Sequence, residues 1–194
     1  VDAAFASGAL APYRKIAVAG FAEGRAAGAE SDIRRLAGLS LNDGPVETGA
    51  GETVAESIHI QMAHAGFALV ERGKVLEAAI GEDIRRENGW AMAMAIAQAT
   101  GADVVAMGCV ARFEDRVGTW YSADKPASVA FGVVIVDPAA KKIVWAGKFE
   151  KRQQSLLADL TQWRIFYQGG LSWQTADALA GVGAAFLVER MRGK

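Results

Sequence analysis

Phe67-Ala-Leu-Val-Glu-Arg-Gly-Lys-Val-Leu-Glu-Ala-Ala79 decides how the chain is read. The first half is apolar and the second half carries helical spacing. This predicts a strand over Phe67–Arg72 that runs, without a long loop, into a helix from Lys74 to about Glu87, with Gly81 as its candidate break. Glu71 and Arg72 fall at the corner between them, where a carboxylate can meet helix amides and a guanidinium can pair locally. They read as residues that fix a structural corner, not as a reacting pair.

Working outward, Glu52–Ala65 has Val54, Ile58 and Met62 at helical spacing, with Gly66 placed for a left-handed cap. Arg14–Ala22 is apolar on both faces, which predicts a central strand covered by helices on both sides. Between the two, Glu23–Gly51 is rich in glycine and reads as a long loop, with room for a short helix near Ser31–Leu39. Downstream, Ala91–Thr100 is apolar all round and too short to span a bilayer, so a buried helix is expected. The period then changes to that of strands, over Asp103–Phe113, Ala127–Val136 and Lys142–Phe149, with Asp137–Lys141 as a tight turn. Helices over Gln153–Gln168 and Thr175–Arg192 close the chain, the second with Thr175 placed to cap it. The expected fold is α/β: a flexible tether over 1–12, then one domain over 13–194, with a mixed sheet of about five strands and helices packed on it.

Composition agrees with one domain, since 194 residues with 52% hydrophobic content can cover a sizeable core. A net charge of −1 argues against bulk binding of nucleic acid. The balance is uneven: from Lys141 to the end there are nine Lys or Arg and four Asp or Glu, so that stretch is about +5. The single Cys109 sits in an apolar strand pattern and reads as a buried small hydrophobe. The chain opens at Val1, which suggests a mature form whose leader has been removed.

No complete catalytic, cofactor or metal set emerges. Gly20, Gly24 and Gly28 follow a strand, but their spacing is neither a dinucleotide fingerprint nor a P-loop. Glu56 and His59 share a helical face without a second such pair, and His64 is off the i+4 position that a zinc helix needs. Glu114 with Asp115, and Glu82 with Asp83, are adjacent and so diverge within an element. The aromatics are more suggestive. Trp120 and Tyr121 lie in the polar stretch Arg116–Pro126, where burial is not expected, and are candidate contacts for a subunit or a membrane. Trp163, Phe166, Tyr167 and Trp173 form a second group, open to two readings: packing of the closing helix against the sheet, or an oligomer seam or interfacial belt.

Lys15-Ile-Ala-Val-Ala-Gly-Phe21, the helix before Gly66 and the Phe67–Arg72 corner resemble the start of the CsgG-like and TolB amino-terminal-domain envelope proteins. Gly101-Ala-Asp-Val-Val-Ala-Met-Gly108 and Ile143-Val-Trp-Ala-Gly147 are similar to the same group and to small PelC-type outer-membrane lipoproteins of polysaccharide export. The resemblance covers roughly Arg14–Phe149. It implies an anticodon-binding-like α/β fold, export to the periplasm, a lipidated cysteine tether to the inner leaflet of the outer membrane, and assembly with copies of itself or with export components. The chain lacks the long amphipathic hairpins of a CsgG-type pore and shows no lipobox cysteine. The expectation is therefore a non-enzymatic periplasmic accessory or scaffold protein. The alternative is a soluble periplasmic ligand-binding domain with the 23–51 loop as lid, and a hydrolase would need a buried carboxylate pair in a cleft.

Overall fold

The structure, a computed structural model, describes residues 3–4, 10–24, 38–80, 89–118, 123–152 and 175–193. Its elements are β1 (Ala3–Ala4), β2 (Ile16–Glu23), α1 (Ala50–His64), α2 (Arg72–Ile80), α3 (Gly89–Thr100), β3 (Val104–Glu114), β4 (Val117–Gly118), β5 (Ala123–Lys125), β6 (Ser128–Asp137), β7 (Lys142–Arg152) and α4 (Ala176–Met191).

The main sheet runs β1-β7-β6-β3-β2. β2 and β3 are parallel, with Ile16 opposite Val104 and Glu23 opposite Val110. All other pairs in the sheet are antiparallel. β4 and β5 form a separate two-stranded ribbon inserted between β3 and β6. The sheet is mixed and apolar on both faces, which leaves two surfaces to cover. On one face Ile16, Val18, Val104, Phe131, Val133, Ile135 and Phe149 pack with Val54, Ile58 and Met62 of α1 and with Leu179, Leu187 and Met191 of α4. On the other, Ala17, Ala19, Val105, Met107, Val134 and Val136 meet Val75 of α2 and Ala93 and Ile96 of α3. Full burial of each large side chain, Trp145, Phe131 and Ile135 among them, is worth roughly 1.5–3 kcal/mol. Three layers result, with the sheet in the middle.

The helix ends follow from local chemistry. α1 stops in a two-bond cap: Gly66 N donates to Ala63 O at 3.0 Å and Phe67 N to Met62 O at 3.1 Å, with Gly66 at φ 85°. Thr175 caps α4, its hydroxyl accepting from Ala178 N at 3.2 Å. The turn between β6 and β7 is held by Asp137 Oδ1, which accepts from Ala140 N at 2.9 Å.

Two expectations are corrected. Phe67–Arg72 is not a strand: it touches the sheet at one bridge, Leu69 beside Ile16, through Ile16 N to Ala68 O and Val70 N to Ile16 O. The segment is pinned at both ends, by the α1 cap that uses Phe67 N and by α2 from Arg72, and meets β2 only around Ile16. The fifth strand is instead β1, drawn from the stretch expected to be a tether. Nor is α3 buried all round. Only Gly89, Ala93 and Ile96 are buried, because a helix lying on one face of a sheet can hide one stripe and no more. The helix expected over 153–168 lies outside the described residues.

The closest packing in the sheet is at Gly108. A Cβ there would lie 2.2 Å from Gly132 O and 2.5 Å from the Phe21 ring. Gly181 in α4 has nothing within 4 Å of the same atom. Gly108→Ala is therefore expected to cost about 1–3 kcal/mol, and Gly181→Ala to stabilise by roughly 0.5–1 kcal/mol. Urea midpoints of the two variants should move in opposite directions.

Candidate functional site

Among the described residues, three places gather polar side chains: the corner at Arg72, a strap over the far end of the sheet, and a groove at the near end. At the corner, the chain leaves α1 on one face, passes the β2 edge and starts α2 on the other face. Arg72, the first residue of α2, reaches back across that wrap. Its Nε donates to Glu52 Oε1 at 3.1 Å and lies 2.9 Å from Glu56 Oε2. Glu52 and Glu56 are one turn apart, so one guanidinium meets both. The Arg72 side chain is only 13% exposed, and its Nη1 is buried without a partner among the described residues, as is Nδ1 of His59. Glu71 plays a different part: it is 73% exposed and pairs with Lys74 at 3.5 Å. Of the two residues expected to fix the corner, Arg72 clamps α1 and Glu71 faces solvent.

The strap is the 38–49 part of the glycine-rich loop. Leu39 and Leu41 lie over Gly132, where a Cβ would come within 2.8 Å of Leu39 Cδ1. Arg112 is its anchor. Its Nε donates to Ser128 Oγ at 2.6 Å, its Nη1 to Asn42 O at 3.2 Å, and its Nη2 stands 3.5 Å from Glu150 Oε1. Asn42 Nδ2 donates to the same Glu150 oxygen at 2.6 Å, and Lys148 Nζ to Ser40 O at 2.7 Å. Past the end of β2, residues 45–47 take over the β3 edge, with Phe113 N donating to Pro45 O and Glu47 N to Phe113 O. This half of the expected lid is bonded flat to the sheet. Residues 25–37 lie outside the described residues.

The groove, of about 610 Å³, opens at the other end of the sheet, away from the strap. Pro12, Tyr13, Met94, Ala97, Asp137 and Pro138 are among its walls. Tyr13 Oη donates to Asp137 Oδ2 at 3.2 Å. Partial burial, the Asp137 charge and that hydrogen bond hold the phenol above its ordinary 10.0. Asp103, at the rim, accepts from Arg14 N at 2.7 Å and Lys15 N at 3.0 Å, and so ties the start of β2 to the start of β3.

The other candidates have structural partners. Glu114 pairs with Lys125. Asp115 Oδ1 accepts from Ala176 N at 3.0 Å at the head of α4. Glu56 faces Arg72, not a metal, and no group of three or more His, Cys, Asp or Glu is placed to hold one among the described residues. Cys109 is fully buried in β3, as its pattern implied. Trp120, Tyr121, Trp163, Phe166, Tyr167 and Trp173, with Glu82 and Asp83, lie outside the described residues. Sequence reasoning missed Arg112, and also Glu23, whose Oε1 accepts from Gly49 N at 3.0 Å and Gly51 N at 2.9 Å to cap α1.

No protein-family model and no curated protein matches the chain. Solved structures do. PelC from Paraburkholderia phytofirmans, solved as a dodecamer, is 14% identical, with 98% of this chain and 98% of that chain covered at a TM-score of 0.56. A point variant of PelC from the same organism, also a dodecamer, gives 12% identity and 0.57 over the same shares. Lipoprotein GNA1162 from Neisseria meningitidis is 16% identical, with 80% of this chain and 91% of that chain covered at a TM-score of 0.49. The PelC likeness establishes a shared fold. It agrees with the PelC-type part of the resemblance and does not extend to the CsgG-like or TolB-like names.

Arg72→Met should lower stability by about 1 kcal/mol, less in about 1 M salt, and its effect should be non-additive with Glu52→Gln and Glu56→Gln. An unchanged urea midpoint would mean that the unpartnered Nη1 offsets both pairs. At Tyr13 the folded state favours the neutral phenol, so the stability this gives is present below pH 10.0 and is lost as pH rises through the higher folded value. The phenolate absorbance lost in Tyr13→Phe should therefore appear above pH 10.0 in the parent, and Asp137→Asn should bring it down.

Proposed function

We propose that this chain is a non-enzymatic subunit of a self-associating assembly in the cell envelope, an accessory or scaffold for export on the periplasmic side of the outer membrane. The observation that carries this reading is the fold likeness to PelC, whose solved form is a dodecamer. The use of the polar side chains supports it. Glu23 and Asp115 hold helix starts, Glu52 and Glu56 hold Arg72, and Glu150 holds the strap. These carboxylates are engaged in keeping surfaces rigid, as a scaffold requires, and they do not converge on a cleft.

Among the described residues no helix is long and apolar enough to cross a membrane. Attachment in this reading is by a lipidated amino terminus or by surface contact. Trp120, Tyr121, Trp163, Phe166 and Tyr167 are proposed as contact positions on their sequence setting. Light scattering at increasing protein concentration tests the self-association: the mass should rise to a multiple of the monomer, and Trp120→Ser with Tyr121→Ser should lower it. A parent protein that stays monomeric at the highest concentration sinks this part of the reading.

A further inference from the structure

The helical corner beside β2 and the strand β7 on the other side of the sheet carry opposite net charge. At the β2 edge, residues 50–80 hold Glu52, Glu56, Glu71 and Glu77 against Arg72 and Lys74. All four carboxylates are exposed; Glu52 and Glu56 share the single inward-folded Arg72 and Glu71 pairs with Lys74, so four carboxylates against two cations leave the corner a net charge of −2. Two of the large apolar side chains exposed among the described residues flank the same corner. Ile60 lies one turn beyond Glu56 on α1, and Leu76 one turn beyond Arg72 on α2. Apolar groups set among charged ones are the make-up of a protein–protein interface.

At the opposite edge the sign reverses. From Lys141 to Arg152 there are five cations, Lys141, Lys142, Lys148, Lys151 and Arg152, and one carboxylate, Glu150, which faces Arg112. Lys141, Lys142 and Arg152 are exposed. Among the described residues, β1 pairs with this edge opposite Ala146 and Gly147.

We propose that the surface at Glu52, Glu56, Glu71 and Glu77 docks onto the β7 edge of a second copy of this chain, so that copies associate head to tail. The occupant follows from the signs. A two-fold contact of corner with corner would set carboxylate against carboxylate, and one of β7 with β7 cation against cation, whereas corner on β7 pairs opposite charges. Such a contact uses two different patches on each subunit and closes into a ring, or extends, according to the rotation between copies. The inference rests on the self-association proposed above and names the surfaces that produce it.

Sedimentation velocity on three chains tests it. One carries Glu71→Lys and Glu77→Lys, which leave the Arg72 clamp intact. The second carries Lys142→Glu and Arg152→Glu. The third carries all four. The first two should each associate at least roughly tenfold more weakly than the parent, the third should recover assembly, and so should an equimolar mixture of the first two, because each then offers the charge the other lacks. Circular dichroism establishes that each chain is folded, and recovery in the mixture excludes damage to either one. A parent that associates while the first two associate equally well overturns the edge contact and leaves the proposed function standing. So does a folded mixture that stays dissociated. A monomeric parent overturns both.

Discussion

Parallel pairing of β2 with β3 is the constraint on which the other features depend. Neighbouring parallel strands cannot be joined by a hairpin, so the chain between Glu23 and Val104 has to cross over and return. It does so by covering both faces in turn. The strap crosses one face at the far end, α1 covers the other, the corner passes the β2 edge, and α2 and α3 complete the first. The strand pair therefore dictates where helices must start and stop, and the polar side chains are spent at those points. Glu23 finishes β2 and holds the head of α1; Arg72 begins α2 and grips the side of α1.

The same constraint explains why the strap is bonded to the sheet. β2 stops alongside Val110, but β3 continues to Glu114, which leaves several residues of β3 without a neighbour on that side. Unpaired strand amides at a buried edge are costly, and Pro45–Glu47 supply the missing partners. Once that stretch is fixed, Arg112 and Glu150 hold the residues before it. The strap is an edge completed by a loop, and its polar cluster is the means of fixing it.

What could be read from the residues was what depends on local pattern. The strands with apolar residues on both faces, the cap at Gly66, the turn at Asp137 and the start of α4 at Thr175 all lie within a few residues of their cause. Arg112 and Glu23 could not be found this way. Their partners stand 16 to 70 residues distant, and an arginine in a strand looks the same whether it faces solvent or anchors a loop. Phe67–Arg72 was misjudged because apolar alternation marks a segment that lies beside a sheet, not how many ladder bonds it makes. α3 was misjudged because alanine and methionine favour helix whichever way they face, so composition alone could not tell the hidden stripe from the open one.

Cys109 gives the central layer a property of its own. It is the chain's single thiol, with none of its surface exposed, and it sits in β3 between strands on either side. Its Sγ lies beside Gly132 on the face that Leu39 and Leu41 of the strap cover, so the strap has to lift from the sheet before a reagent reaches it. Its rate of modification by a thiol reagent is then a clock for opening of the strap, a local event that can be timed separately from unfolding of the whole core.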